Sequence, residues 1–186
     1  EGFVFAVKAS RYITHIRRLG EPEATVPPFL GRVRALAPKL GPVLFQLPAR
    51  FPFNGALLDS FCHTLDKGFR YAFEFRDPGW FRGETCDTLK RNGIAFCIFD
   101  FAGLRSPDAV TADFVYIRLH GPLKEPYRGK YPDSFLQERA EAIRRWLGEG
   151  RAVYVFFDNT MEGDAVHDAL KLSDMLKGEP NPEELH

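Results

Sequence analysis

Six short apolar stretches of this chain each end in a polar or ionisable residue. Lys8, Gln46, Glu74, Asp100, Arg118 with His120, and Asp158 with Asn159 stand at or just past those ends. Together they supply carboxylates, an imidazole, an amide, an ammonium and a guanidinium. Glu74 and His120 are candidates for proton transfer, and Lys8 and Arg118 complete a candidate catalytic set. Gln46, Arg76, Trp80, Asp100, Tyr127, Asp158 and Asn159 are of types that hold an anionic or hydroxyl-rich substrate. Two neighbouring segments add basic and aromatic side chains: Arg11, Tyr12, His15, Arg17 and Arg18, then Lys124, Tyr127, Arg128, Lys130 and Tyr131. Such mixtures suit phosphate contacts with stacking on a ring.

Two blander arrangements compete with that reading. One is a structural ion network, with Arg118 facing Glu74 and Lys8 facing Asp158. Desolvating so many charges without use is costly, which favours function for the set as a whole. The other is a metal site. Glu74, Asp100, His120 and Asp158 are donors that a divalent Mg, Mn or Zn ion accepts. Lys8, Arg76 and Arg118 at the same end would repel a cation, and no HExxH-like spacing is present, so no metal ligand is assigned. The chain contains neither GxGxxG nor GxxxxGK[ST].

Positioning these groups falls to the apolar stretches themselves. Phe3–Val7, Val43–Leu47, Tyr71–Phe75, Ile94–Phe99, Phe114–Leu119 and Ala152–Phe157 read as strands, the first buried on both faces. Side chains alternate along a strand, so a single parity rule places each polar residue inward. The inner lines are then Ala6, Lys8 and Ser10; Leu44 and Gln46; Ala72, Glu74 and Arg76; Phe96, Ile98 and Asp100; Tyr116, Arg118 and His120; and Tyr154, Phe156 and Asp158. Each begins apolar and turns polar toward its carboxyl end, as around the mouth of a (β/α) barrel.

Helical patterns separate most strands. Pro27-Pro28 suits a helix start, with Leu30, Val33, Leu36 and Ala37 at helical spacing and Pro38 with Gly41 closing it. Asn54 caps a helix bearing Leu57, Leu58, Phe61 and Leu65. A weaker helix runs from Phe81 to Asn92 and stops at Gly93. Leu136, Ala140, Ile143 and Leu147 mark a strong helix, and Val166, Ala169, Leu170, Ser173 and Leu176 mark the last. The segment with Gly103 and Pro107 has no long amphipathic pattern. Strands alternating with helices imply a parallel sheet with right-handed crossovers. Residues 1–177 read as one partial barrel domain and 178–186 as a flexible tail.

Composition narrows the classes. The 186 residues are 45% hydrophobic and 27% charged, with 18 Phe and a formal net charge of zero. Zero net charge argues against a dedicated non-specific nucleic-acid binder. Cys62, Cys86 and Cys97 lack CxxC spacing and read as reduced residues of a cytoplasmic protein. No stretch is long and apolar enough to span a membrane, and no signal peptide is visible.

The motifs KASRYITH at Lys8–His15, LFQLP at Leu44–Pro48, EFRDPGW at Glu74–Trp80, YIRLHG at Tyr116–Gly121 and YVFFDN at Tyr154–Asn159 occur in order. In that order the chain resembles the YecE-like family, domain of unknown function 72, across essentially its whole length. The resemblance implies a TIM-type barrel, loosely grouped with sugar isomerases, and polar strand-end positions at Lys8, Gln46, Glu74, Arg76, Arg118, His120 and Asn159. Two departures stand out. Asp158 replaces an Asn usual in the last motif, and two strands expected at the start of the family's barrel are missing. The expectation is an α/β fold: a TIM-type barrel lacking its first two strands, with about six parallel strands and helices outside. Its open edges, Phe3–Val7 and Val153–Phe157, would favour self-association or a separate N-terminal segment. The preferred function is a small-molecule enzyme of sugar or sugar-phosphate type. The alternatives are a nucleic-acid-binding or nuclease-like barrel using the basic loops, and an inactive truncated barrel.

Overall fold

The computed structural model describes residues 2–177, so the expected tail at 178–186 lies outside the described residues. The described residues divide into two compact units, 2–98 with 106–113, and 99–105 with 114–177.

In the first unit, strands β1 (Phe5–Lys8), β2 (Leu40–Gln46), β3 (Tyr71–Glu74) and β4 (Ala95–Phe101, which continues into the second unit) pair parallel in chain order. Helices α1 (Pro22–Val33), α2 (Gly55–His63) and α3 (Gly83–Arg91) lie between them in sequence. Val43, Phe45, Phe73, Phe75 and Phe96 share a core with Leu30 and Val33 of α1, Leu58 and Phe61 of α2 and Leu89 of α3. That face of the sheet is therefore the helix-covered one. Asn54 caps α2 as expected, its side chain accepting from Leu57 N at 3.0 Å.

Four expectations for this unit are corrected. Helix α1 begins at Pro22, with Pro27 and Pro28 inside it; Pro22 occupies the first turn, where a missing N–H costs nothing. Gly41 does not close that helix but lies in β2, where a Cβ would stand 3.1 Å from Phe5 O, so glycine permits the close approach of β1. The strand β1 is not buried on both faces, since Phe3 and Phe5 are exposed. The parity rule fails on β4. The register pairs Ala72 with Ala95 and Phe73 with Phe96, so Phe96 and Ile98 face the helices, and so by alternation does Asp100. Cys97 takes the inner position, its Sγ 3.9 Å from Glu74 Oε2.

In the second unit, the end of β4 folds back on β5 (Leu104–Arg105) through a two-residue turn, Ala102-Gly103, both with positive φ. That hairpin is not among the sequence expectations. Strands β6 (Phe114–Leu119) and β7 (Ala152–Phe157) pair parallel over their full lengths, with α4 (Asp133–Gly148) between them in sequence and α5 (Asp164–Lys177) after. Tyr116 stacks on Phe156 at 4.9 Å, and Phe114 meets Tyr154 edge-on at 5.9 Å, so one face of this pair is aromatic up to Arg118. Two helix faces differ from expectation. Trp146, not Leu147, completes the buried stripe of α4. In α5 the buried residues include Ala165, Asp168 and Leu172, while Val166 and Leu170 are exposed. The helix turns that way because Asp168 is held by the loop it packs on, as described below.

The strand order is β1-β2-β3-β4-β6-β7, with β5 paired only to β4. This is the α/β organisation of a partial TIM-type barrel, with β1 and β7 as end strands. No helix among the described residues is long and apolar enough to cross a membrane.

Candidate functional site

The first unit gathers a charged group at the carboxyl ends of β1, β2 and β3. Parallel register sets Lys8 beside Leu44, and Gln46 beside Glu74, on the face opposite the helix-covered core. Glu74 is fully buried and its Oε1 accepts from Arg76 Nε at 2.6 Å. An ion pair this enclosed is favourable only where desolvation is repaid by close geometry. Gln46 is buried, and its Nε2 donates to Leu47 O at 2.6 Å.

The loop after β1 curls into a π-helical turn, Tyr12–Ile16, a form frequent at functional sites. Thr14 Oγ1 donates to Ser10 O at 3.3 Å. Since a carbonyl can only accept, Thr14 Oγ1 is left to accept from His15 Nδ1 at 2.8 Å, which makes Nε2 the basic ring atom. Partial burial, then the charges of Arg11, Lys8, Arg76 and Arg18, hold the His15 pKa below its ordinary value. Arg18 lies over the Phe51 ring at 5.8 Å. Trp80, a candidate substrate residue by sequence, is a core residue instead. It is fully buried, stacks on Phe75 at 4.7 Å, and spends its indole N–H on Phe51 O at 2.7 Å.

The second unit builds its own group at the ends of β6 and β7. His120 is fully buried, and its Nδ1 lies 2.7 Å from Asp100 O. That carbonyl requires a donor, so Nδ1 carries the hydrogen of the neutral ring and Nε2 is its basic atom. Nε2 is 3.3 Å from Asp158 Oδ2, which also lies 2.7 Å from Arg118 Nη2. The Asp158 oxygen makes ion-pair contact without hydrogen-bond angles. Asp158 has a side chain 28% exposed, against 13% for Arg118 and none for His120, although the Oδ2 that meets both partners is itself buried. Phe101, His120 and Tyr127 pack edge to face at 5.3 to 5.9 Å around this group.

Asp100 and Asn159 serve the scaffold. Asp100 Oδ1 accepts from Tyr131 OH at 2.5 Å and from His120 N at 3.0 Å. Burial pushes the Asp100 carboxyl upward against these bonds. Burial and the adjacent Asp100 push the Tyr131 phenol up as well. Tyr131 OH also accepts from Gly121 N at 2.8 Å. Asn159 is buried, its Nδ2 donating to Gly129 O at 2.9 Å and Asp168 Oδ2 at 2.7 Å, while Tyr131 N donates to the same Asp168 oxygen at 3.1 Å. Both were expected to contact substrate; the bonds formed here are to the protein's own groups, while Asn159 Oδ1 is buried with no hydrogen-bond partner.

Ion pairs at these strand ends include Glu74–Arg76 in the first unit and Arg118–Asp158 in the second. Among the described residues, no three His, Cys, Asp or Glu side chains are placed to hold a metal ion. Tyr131, Asp168, Thr14 and Cys97 carry roles that the sequence reading did not assign. Cys97 would have followed from correct parity on β4. Asp168 gave no signal, because Val166 and Leu170 form the more hydrophobic stripe. A cleft of about 510 Å³ opens at the other end of the strands, lined by Cys62, Phe69, Arg70, Tyr71, Arg91 and Ile94.

Residues 1–185 match the family model described as protein of unknown function DUF72. The UPF0759 protein YecE of Escherichia coli K12 is 37% identical over 93 residues, which is 49% of this chain and 34% of that protein. The chain thus matches about a third of the length of this curated relative. Among solved structures, a DUF72 family protein of Thermotoga maritima superposes with a TM-score of 0.83 at 28% identity, over 94% of this chain and 74% of that one. A DUF72 family protein of Enterococcus faecalis superposes with a TM-score of 0.78 at 21% identity, over 96% of this chain and 76% of that one, a likeness of fold.

Proposed function

Since the chain belongs to the DUF72 family of proteins of unknown function, we propose, from its strand-end chemistry, that it is a small-molecule enzyme acting on a sugar or sugar phosphate. The observation that carries this is the partly exposed Asp158 side chain, whose buried Oδ2 is backed by Arg118 and buried His120. A carboxylate so placed can take a proton from a substrate hydroxyl or C–H while Arg118 and His120 hold its charge. With Nδ1 committed to Asp100 O, any proton reaching His120 passes through Nε2, and Nε2 faces Asp158. His120 is thus a positioning residue and Asp158 the one that meets substrate. Tyr127, half-exposed beside His120, offers a ring face for a pyranose or furanose to lie on.

A thermal-shift screen of the chain against aldoses, ketoses and their phosphates tests the reading. At least one ligand should raise the melting temperature in a saturable way. Absence of any response across the panel at millimolar concentration would count against a sugar-type substrate.

A further inference from the structure

We propose that the cleft at the amino ends of β3 and β4 is a binding site for a small aromatic monocarboxylate. Its volume of about 510 Å³ lies within the span of small-molecule sites. Cys62 in the last turn of α2, Leu65 just after it, Tyr71 at the start of β3 and Ile94 before β4 form its floor, and all four are buried. Tyr71 spends its hydroxyl on Asp66 O at 2.9 Å, and burial pushes the Cys62 thiol up to about 12, so the floor is uncharged at neutral pH. Phe69, half-buried, adds a second ring with its centroid 6.2 Å from that of Tyr71. Two rings over an aliphatic floor suit a flat apolar body.

The charges sit on the rim. Lys67, Arg70 and Arg91 are exposed there, and Asp113 shares it. Arg70 Nη2 lies 3.7 Å from Asp113 Oδ2, and Arg91 Nη2 lies 3.1 Å from both Asp59 Oδ1 and Thr88 Oγ1. Both ion pairs are open to water, so neither holds its arginine strongly. The Arg91 bonds fall on Nη2 alone, which leaves Nε and Nη1 of the fork for a ligand carboxylate. Three cations against Asp59 and Asp113 leave one positive charge in excess. That balance suits a monoanion, whereas a dianion would be repelled by the two aspartates. The rim is not spent on the helix ends either, because their last carbonyls are bonded within the chain. Phe61 O takes Thr64 N and Oγ1, Cys62 O takes Leu65 N, Leu89 O takes Asn92 N and Ile94 N, and Lys90 O takes Gly93 N. The site lies wholly in the first unit, at the end of β3 opposite Glu74, and does not rest on the sugar reading.

The test uses the whole chain with 1-naphthoate, its neutral isostere 1-naphthamide, and acetate. Methyl proton–carbon NMR follows Leu65 and Ile94 in the floor, with the buried Ile13 and Ile143 as references outside the cleft. Naphthoate should shift the Leu65 and Ile94 methyls saturably and leave the references in place. Naphthamide, which lacks the charge, and acetate, which lacks the ring, should each bind about tenfold more weakly or worse. Lys67→Glu turns the local excess from one positive to one negative charge and should weaken naphthoate about tenfold or more. Arg32→Glu, at an exposed position of α1 outside the cleft, should leave binding unchanged. Both substituted side chains are exposed, and a melting curve checks that each variant folds. Floor methyls that naphthoate does not move overturn the proposal. Equal binding of naphthoate and naphthamide also overturns it, as adsorption to apolar surface only. So does equal weakening by Lys67→Glu and Arg32→Glu, which would mean a diffuse ion atmosphere. If the sugar screen fails while naphthoate still moves Leu65 and Ile94, this site stands and the enzyme reading falls.

Discussion

Tyr131→Phe removes one oxygen and leaves the ring, which stays stacked on Phe135 at 4.6 Å. The lost hydroxyl made two bonds, donating to Asp100 Oδ1 at 2.5 Å and accepting from Gly121 N at 2.8 Å. A hydrogen bond to a charged group contributes about 1.5–3 kcal/mol, and a buried N–H left without a partner costs about 1–3 kcal/mol. Asp100 keeps its bond from His120 N, so the two losses should not add fully. We expect a loss of about 3 kcal/mol at pH 7, a fall in melting temperature of about 6–12 °C for a chain of this size. The pH dependence gives a second reading. The hydroxyl favours the ionised carboxylate, so removing it raises the Asp100 pKa further. Its stabilisation is present where Asp100 is charged and fades as the carboxyl protonates, so the loss should shrink on acidification toward pH 4. Chemical unfolding in urea at pH 7 and pH 4 measures both. A loss below about 0.5 kcal/mol at pH 7, or one that does not shrink in acid, would refute the assignment of Tyr131 as the donor that holds Asp100.

Asn54→Ala should cost about 1 kcal/mol in urea unfolding, as loss of the α2 cap, with Asn54→Asp nearly neutral. Gly121→Ala should cost more than about 3 kcal/mol, because Gly121 has φ +104° and a Cβ would meet Arg128 O at 2.3 Å. Asp100→Asn should change the pH profile of stability in a defined direction. With its pKa raised by burial, Asp100 favours the fold below its unfolded value of about 4 and loses that advantage as pH climbs to the folded value. The wild type should therefore lose stability relative to the variant across that window, and a flat difference would argue against a buried, raised carboxyl.

The parallel strands were legible because each is a short apolar run, and on β1, β2 and β3 the polar residue lies on the face opposite the helix-covered core. Parity on β4 was not legible. Asp100 ends that run as Glu74 ends its own, but Asp100 faces the helices and is satisfied there by Tyr131, a residue 31 positions away in sequence. Hydrophobic periodicity failed on α5 for a related reason. Asp168 is buried because Asn159 Nδ2 and Tyr131 N both need an acceptor, and no local pattern encodes a demand made by a distant loop. The strand-end placement of Lys8, Glu74, Arg118 and His120 was legible from residue type and position. Which of them solvent can reach was not, because exposure depends on neighbours such as Arg76 over Glu74 and Asp158 before His120.

In the proposed reaction Asp158 takes a substrate proton while Arg118 and His120 hold its carboxylate, a role open to test. It is tested most directly by the turnover of a sugar or sugar phosphate that binds, in the wild type and in Asp158→Asn. Asparagine is isosteric with aspartate, so the variant should fold and bind. Its rate should fall about 10²-fold or more, as expected for loss of a positioned general acid or base. Equal turnover in the two proteins, with binding intact, would contradict the account.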